Sequence, residues 1–461
     1  MNEKEIDLGK DSIGKLLFRL SLPAIIAQIV NVLYNIVDRI FIGRLPDGEI
    51  AMAGVGIAFP IIIIITAFSS LIGMGGAPLA AIRMGEKDND GAEKIMSNSF
   101  AMLIIIGLIL TIGFFIFQEP MLWAFGASET TIGFAKEYLG IYLMGTVFVQ
   151  IALGMNPFIN TQGFAKIGMG TVMIGAVINI VLDPIFIFVF DMGVSGAALA
   201  TIIAQIGSAA WALQFLFGKK SVLKIRKKYL KPEIKVVLSI MALGVSPFVM
   251  QSTESLVLIS LNNQLMMYGG DLAVGSMTIM SSINQIIMLP IMGLSQGAQP
   301  IISYNFGAKN IDRIRKTFKL LFICAISYTI FMWASLNIFP EVFVSIFNKK
   351  QEVIEMTSWS IKIFFGGIFL FGAQVACQQT FLALGQAKIS LILALLRKII
   401  LLIPLIFILP IFLDDKLKAV YLAEPIADIL AALTTMICFG IFYKKILSKI
   451  DKDVVKNIKE S

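Results

Sequence analysis

Five acids stand inside long apolar runs of this 461-residue chain: Asp38, Asp183, Glu254, Glu424 and Asp428. An ionisable group in such surroundings is costly to bury and marks a functional site by default. Asn179 and Asp183 are four apart, as are Glu424 and Asp428, so each pair shares a helix face. Thr201 falls at a similar depth in the next apolar run. Asp38, Asn179, Asp183 and Thr201 together offer two carboxylates, an amide oxygen and a hydroxyl. Hard oxygen ligands of this kind suit Na⁺, or a proton shared between carboxylates. Two close carboxylates in a low dielectric cannot both ionise cheaply, which makes a proton-driven switch physically accessible. A plainer reading pairs Asp38 with the adjacent Arg39 or turns it to outer water.

Glu254 has Ser252, Thr253 and Ser255 beside it. It either senses a cationic substrate or a proton, or is satisfied within its own bundle. Arg397 and Lys398 are close enough in depth to neutralise Glu424 or Asp428, as a structural ion pair or as part of a site. Pro184 directly follows Asp183. A proline frees a backbone carbonyl and permits bending, so protonation there can couple to a helix bend. Ordinary transmembrane proline use is the simpler account.

Several chemistries are absent. The chain has no histidine, so any proton-linked step must use carboxylates. Cys324, Cys377 and Cys438 show no metal or redox spacing and read as small apolar side chains. No G-x-x-x-x-G-K-[ST] loop occurs, so pumping must use an ion gradient or a partner chain rather than ATP bound here. Gly293-Leu-Ser295-Gln-Gly297 matches G-x-S-x-G, but no Ser-His-Asp triad forms without histidine. The two glycines read instead as a close helix-packing face. An enzyme is therefore not expected, and no cofactor is implied.

The elements that must hold these residues follow from composition. Hydrophobic residues are 57% of the chain and charged residues 15%. A membrane span needs about 20 mostly apolar residues. Twelve apolar segments fit, at about 16–43, 51–82, 96–117, 133–159, 165–190, 195–217, 236–268, 277–303, 317–338, 356–384, 388–412 and 419–444. The reading is an all-α polytopic membrane protein of twelve transmembrane helices. With the N-terminus inside, 28 Lys and Arg fall on inner segments and 6 on outer loops. That bias places both termini in the cytoplasm. It also accounts for the net charge of +8, much of it in the run Lys219 to Lys235. Beside spans such a run meets anionic lipid, and nucleic acid is not an expected partner.

An internal repeat divides the chain. Gly163-Phe-Ala-Lys166 recurs as Gly385-Gln-Ala-Lys388, and Met84-Gly85-Glu-Lys87 as Phe306-Gly307-Ala-Lys309, both offset by 222. Ser21-Leu-Pro23 and Ser246-Pro247 open the first and seventh spans. Six spans per repeat insert both halves in the same orientation, a parallel repeat. Repeats of this sort are common in secondary transporters, with the site at or near the repeat interface. The expected parts are an N-terminal lobe (1–217), a basic cytoplasmic linker (218–235) and a C-terminal lobe (236–461).

The run Leu33-Tyr34-Asn35-Ile36-Val37-Asp38-Arg39-Ile40-Phe41-Ile42-Gly43, followed by Ala53-Gly54-Val55-Gly56-Ile57-Ala58-Phe59-Pro60, strongly resembles the start of MATE (multidrug and toxic compound extrusion) transporters. The Asn179–Pro184 run and the 6+6 layout agree, and the resemblance is to the DinF-like and MepA-like bacterial branch. It implies two six-helix lobes around a V-shaped cleft and alternating access. It implies export of varied, often cationic, organic compounds in exchange for H⁺ or Na⁺, from a bacterial cytoplasmic membrane, by a monomer. The family's N-lobe cation residues fall onto Asp38, Asn179, Asp183 and Thr201, and its span-seven acid onto Glu254. Many relatives carry an acid in span ten where this chain offers Gln374 and Gln378, which favours N-lobe coupling. Glu254, Gln374, Gln378, Glu424 and Asp428 remain candidates for substrate or proton. A flippase or exporter of lipid-linked precursors would line its cleft with bases, and only Arg39, Arg397 and Lys398 are read as lying within spans. An ion channel needs no pair of lobes.

Overall fold

The computed structural model describes residues 6–459, and helices are their only regular structure. The first half comprises α1 (Ile13–Ile42), α2 (Gly48–Gly85), α3 (Asn89–Ala124), α4 (Ile132–Met144), α5 (Thr146–Thr161), α6 (Ala165–Pro184) and α7 (Gly193–Phe217). The second comprises α8 (Ile234–Gly307), α9 (Ile311–Ile338), α10 (Pro340–Ser345), α11 (Gln351–Phe364), α12 (Ile368–Ala383), α13 (Ala387–Leu395), α14 (Ile403–Phe412) and α15 (Lys416–Lys459). Two stretches wind as π-helix, Ile185–Val189 after α6 and Leu396–Leu402 between α13 and α14.

Ten helices or continuous helical runs are individually long and apolar enough to cross a bilayer. The fourth span is not straight as the sequence suggests: α4 and α5 meet at Gly145 with a 60° bend. The seventh and eighth spans run together as the 74 residues of α8, broken at Gly270. Its φ of 62° and ψ of −160° are open to glycine and to almost nothing else. With both breaks counted, twelve spans stand. Ile105, Ile109, Ile112 and Ile116 on α3 recur at helical spacing and are exposed, the apolar face that hydrocarbon covers.

The repeat is visible in backbone detail. Gly163 and Gly385, 222 apart, both carry a positive φ, 87° and 71°. Lys87 and Lys309 do so as well, at 63° and 57°. Each lysine precedes an N-cap: Asp88 accepts from the Gly91 amide and Asn310 from the Arg313 amide. The α2–α3 and α8–α9 corners are thus one turn built twice.

The lobes close on each other at the end where α1 begins. Gly293 and Gly297 of α8 lie against α1 at Ile25 and Ser21, the close packing expected of the small-xxx-small pair. Ser21 donates to the Leu294 carbonyl at 3.3 Å. At mid-depth Ser70 donates to Gln251 Oε1 and Gln251 Nε2 to Thr66, both at 2.9 Å. Phe68 and Phe248 meet edge to face. Toward the opposite end no hydrogen bond joins the lobes among the described residues.

Each lobe's leading segment also straps the other lobe. Ahead of α1, the Leu8 carbonyl accepts from Asn305 Nδ2 at 3.0 Å and from Arg313 Nη2 at 2.9 Å, and the Asp11 carbonyl from Arg313 at 2.7 Å. Ahead of α8, Gln162 Oε1 receives the Leu223 amide at 2.8 Å, and Asn98 Oδ1 the Glu233 amide at 2.7 Å. Arg226 pairs with Glu93 at 2.7 Å and Lys228 with Asp90 at 2.9 Å. These two linker cations pair with α3 while their side chains stay exposed.

Candidate functional site

In the N-terminal lobe the sequence-derived quartet comes together. Asp38 sits one turn from the C-terminal end of α1, where α1 packs on α6. Asn179 and Asp183 lie on the same buried face of α6. Asn179 Nδ2 donates to Asp183 Oδ1 at 3.1 Å and to Thr201 Oγ1 of α7 at 3.4 Å. One amide thereby ties a carboxylate to a hydroxyl on the neighbouring helix. Asp38 is near enough for its charge to act on Asp183. Both acids are buried, Asp183 fully.

What these groups lack is informative. Asp38 Oδ1, Asn179 Oδ1 and Asp183 Oδ2 are buried oxygens with no hydrogen-bond partner. Native buried polar atoms are nearly always satisfied, so three such oxygens in one cluster need a reason. A cation or a proton supplies one. Neither acid has an ion pair among the described residues. Arg39 does not neutralise Asp38 through an ion pair: it is exposed and lies over the Phe59 ring at 4.9 Å.

Sequence reading missed the aromatic wall of this site. Tyr34 stands one turn before Asp38 on the same helix. Tyr138 and Tyr142 of α4 stack with ring centroids 6.3 Å apart, and α4 packs on α7, which carries Thr201. The four-residue spacing of Tyr34 and Asp38 was a usable signal. For Tyr138 there was none, because the Gly145 bend brings α4 in. A small pocket of about 30 Å³ reaches the quartet at Asn179 and Thr201 and is lined in part by Asn31, Asn156, Thr171 and Gln205. Directly beyond Asp183, Pro184 leads into the π-helical turn Ile185–Val189, a local departure from regular winding of the kind that accompanies functional sites.

The C-terminal candidates are also brought together, but around bases. Arg397 donates Nε to Asp428 Oδ1 at 2.7 Å and Nη2 to Glu424 Oε1 at 3.2 Å. It takes both acids, and Lys398 takes neither. Lys398 pairs instead with Glu254 and donates to the Met250 carbonyl at 2.9 Å. Gln378 donates to Met250 Sδ at 3.2 Å, and buried Gln374 keeps Oε1 without a partner. The acids of this lobe are internally countered; those of the N-terminal lobe are not.

The family model described as MatE matches residues 23–185 and 247–408. The multidrug export protein MepA of Staphylococcus aureus strain MSSA476 is 28% identical over 429 residues, covering 93% of this chain and 94% of that protein. A crystal structure of MATE in the bent conformation aligns with a TM-score of 0.90 at 23% identity, covering 98% of this chain and 99% of that one. A crystal structure of MATE in complex with MaD3S aligns at 0.89 and 23%, covering 98% and 100%.

Proposed function

This chain belongs to the MATE family, and from that premise we propose that it is a secondary active multidrug efflux antiporter, which exports varied, often cationic, organic compounds in exchange for H⁺ or Na⁺ by alternating access. The observation that carries the reading is the N-lobe cluster. Asp38, Asn179, Asp183 and Thr201 converge, with three buried oxygens unpartnered and no base bonded to either acid. The closed inner end and the unbonded outer halves fit a state in which that cluster is served from outside. The name of the MepA relative supports the cargo class.

In mechanism, the coupling cation binds between Asp38 and Asp183 and is shared with Asn179 and Thr201. Its arrival draws α1, α6 and α7 together around one charge. Pro184 and the π-turn after it let the end of α6 yield without breaking a regular helix. The cargo site loses shape, and cargo leaves outward. Coupling requires that cation and cargo favour different states, because equal affinity for both states shifts nothing. The chain functions as a multi-pass protein of a bacterial cytoplasmic membrane, with both termini inside.

A flippase for lipid pyrophosphates is less well supported. Arg397 and Lys398, two of the three bases within spans, are already bonded to Glu424, Asp428 and Glu254. Ethidium export from proteoliposomes, under an imposed pH gradient alone and an imposed Na⁺ gradient alone, tests the proposal. Transport under either gradient upholds it and names the ion. Folded protein that moves no dye under either overturns it.

A further inference from the structure

Five charges form one layer of the C-terminal lobe: Glu254 on α8, Arg397 and Lys398 in the π-helical stretch, and Glu424 and Asp428 on α15. Their bonding divides them into two sets. Arg397 faces α15, holds both acids there and stacks its guanidinium over the Phe371 ring at 4.6 Å. Lys398, the next residue, points toward α8. Adjacent helical side chains project about 100° apart, so neighbouring cations serve different helices.

Glu254 differs from the other two acids in its exposure. Its side chain is 63% exposed, whereas that of Lys398 is 9% exposed. The ammonium therefore reaches the carboxylate from the protein side and leaves the other side open. Three residues earlier, Gln251 bonds Thr66 and Ser70 of the N-terminal lobe. Residues 251 and 254 share a helix face, so Glu254 lies on the wall between the lobes. It is an acid on the cleft that already holds a cation, and that cation belongs to the chain.

On the efflux reading above, we infer that Lys398 is a specificity-determining residue: a tethered cation that occupies Glu254 and keeps free organic and alkali cations off it, leaving the N-lobe carboxylates as the cation-binding set. Geometry favours the tethered competitor. A group held in place by the fold acts at an effective concentration of mM or above, which a dilute free cation must overcome. The ammonium has a second anchor in the Met250 carbonyl, and the amides of Gln374 and Gln378 bring no further negative charge to draw a free cation in. Arg397 cannot substitute for Lys398 because both of its bonds run to α15.

Binding of tetraphenylphosphonium, a lipophilic monocation, to the purified full-length protein tests this. Four forms are compared by equilibrium dialysis: wild type, Glu254→Gln, Lys398→Met and the double variant. Glu254→Gln weakens binding, because the Lys398 ammonium left without its partner repels the probe. Lys398→Met tightens binding by about tenfold, as an unanswered carboxylate on the cleft attracts the probe. The double variant returns to the wild-type value. A double variant that binds about tenfold more weakly than wild type overturns the inference and leaves the efflux reading standing. Binding by Lys398→Met alone, with none in wild type, upholds the inference and counts against efflux of this cation class. Absence of binding in every form overturns it. If Lys398→Met does not fold, the double variant, which leaves no unpaired charge, decides by its comparison with wild type.

Discussion

Gly85 and Gly307, 222 positions apart in the chain, pack against each other's helices in a reciprocal contact. A Cβ on Gly85 would meet the carbonyl oxygen of Tyr304, and a Cβ on Gly307 that of Ile82. Ile82 and Tyr304 are themselves 222 apart. This closure is thus a pseudo-symmetric contact between two repeats, with backbone atoms on both sides. Gly85→Ala and Gly307→Ala each push two backbones apart where no flexible side chain can yield. Each is expected to cost about 1–3 kcal/mol, as overpacking does. Thermal unfolding in detergent measures it. Once one substitution has parted the helices, the second meets less resistance, so the double variant falls short of the sum.

The straps ahead of α1 and α8 give a second expectation. Arg313 donates to the carbonyls of Leu8 and Asp11, and Leu8 is 5% exposed beneath it. Hydrogen bonds from a charged donor contribute about 1.5–3 kcal/mol each. Arg313→Ala therefore releases the segment before α1. A thiol placed by Leu8→Cys reacts slowly with maleimide in the wild-type background and at least about tenfold faster with Arg313→Ala, as local unfolding becomes cheaper. Equal rates in the two backgrounds rule out the strap.

How far the sequence foretold this site depends on how local each relationship is. Asn179 and Asp183 were legible because four-residue spacing on one helix places them together regardless of the rest of the fold. The turn after α2 and its copy after α8 were legible because the repeat preserved their letters. Tyr138 was not, since only the 60° bend at Gly145 turns α4 toward Thr201. The partner of Lys398 was not legible either. Depth made Glu424 and Asp428 suitable partners for both bases, and only the direction of the side chain sends Lys398 to Glu254, 144 residues away. The α8 break was hidden for a different reason: Gly270 lies among polar and apolar residues that read as an ordinary loop between two spans.

Asn179 is the one residue of the N-lobe cluster that bonds two of the others. Asn179→Leu keeps the size of the side chain and removes both bonds, leaving Asp183 Oδ1 and Thr201 Oγ1 without that donor. Gradient-driven export should fall by at least about tenfold, in line with the loss of a group that organises a site. Thr201→Val removes one oxygen and costs less. Asp183→Asn keeps the shape but removes a charge, so residual export loses its dependence on the gradient. Rates in proteoliposomes with and without the gradient separate these outcomes. Wild-type coupling in Asp183→Asn is incompatible with the mechanism.

Arg397 lets stability be told apart from function in the C-terminal lobe. It is the shared partner of Glu424 and Asp428, four residues apart on α15. Arg397→Met leaves two carboxylates facing each other in a mostly buried layer. Removing one partner of a buried ion pair costs about 3–5 kcal/mol, because the charge left behind has no compensation. The triple variant Arg397→Met, Glu424→Gln, Asp428→Asn removes the whole charge set, and replacing such a set together is often neutral. Arg397→Met is therefore expected to unfold at a markedly lower temperature and the triple variant close to wild type. If Glu424 and Asp428 are structural, the triple variant also exports dye at the wild-type rate. Export lost from a triple variant of wild-type stability would make these two acids part of the transport path, a result no stability measurement could reveal.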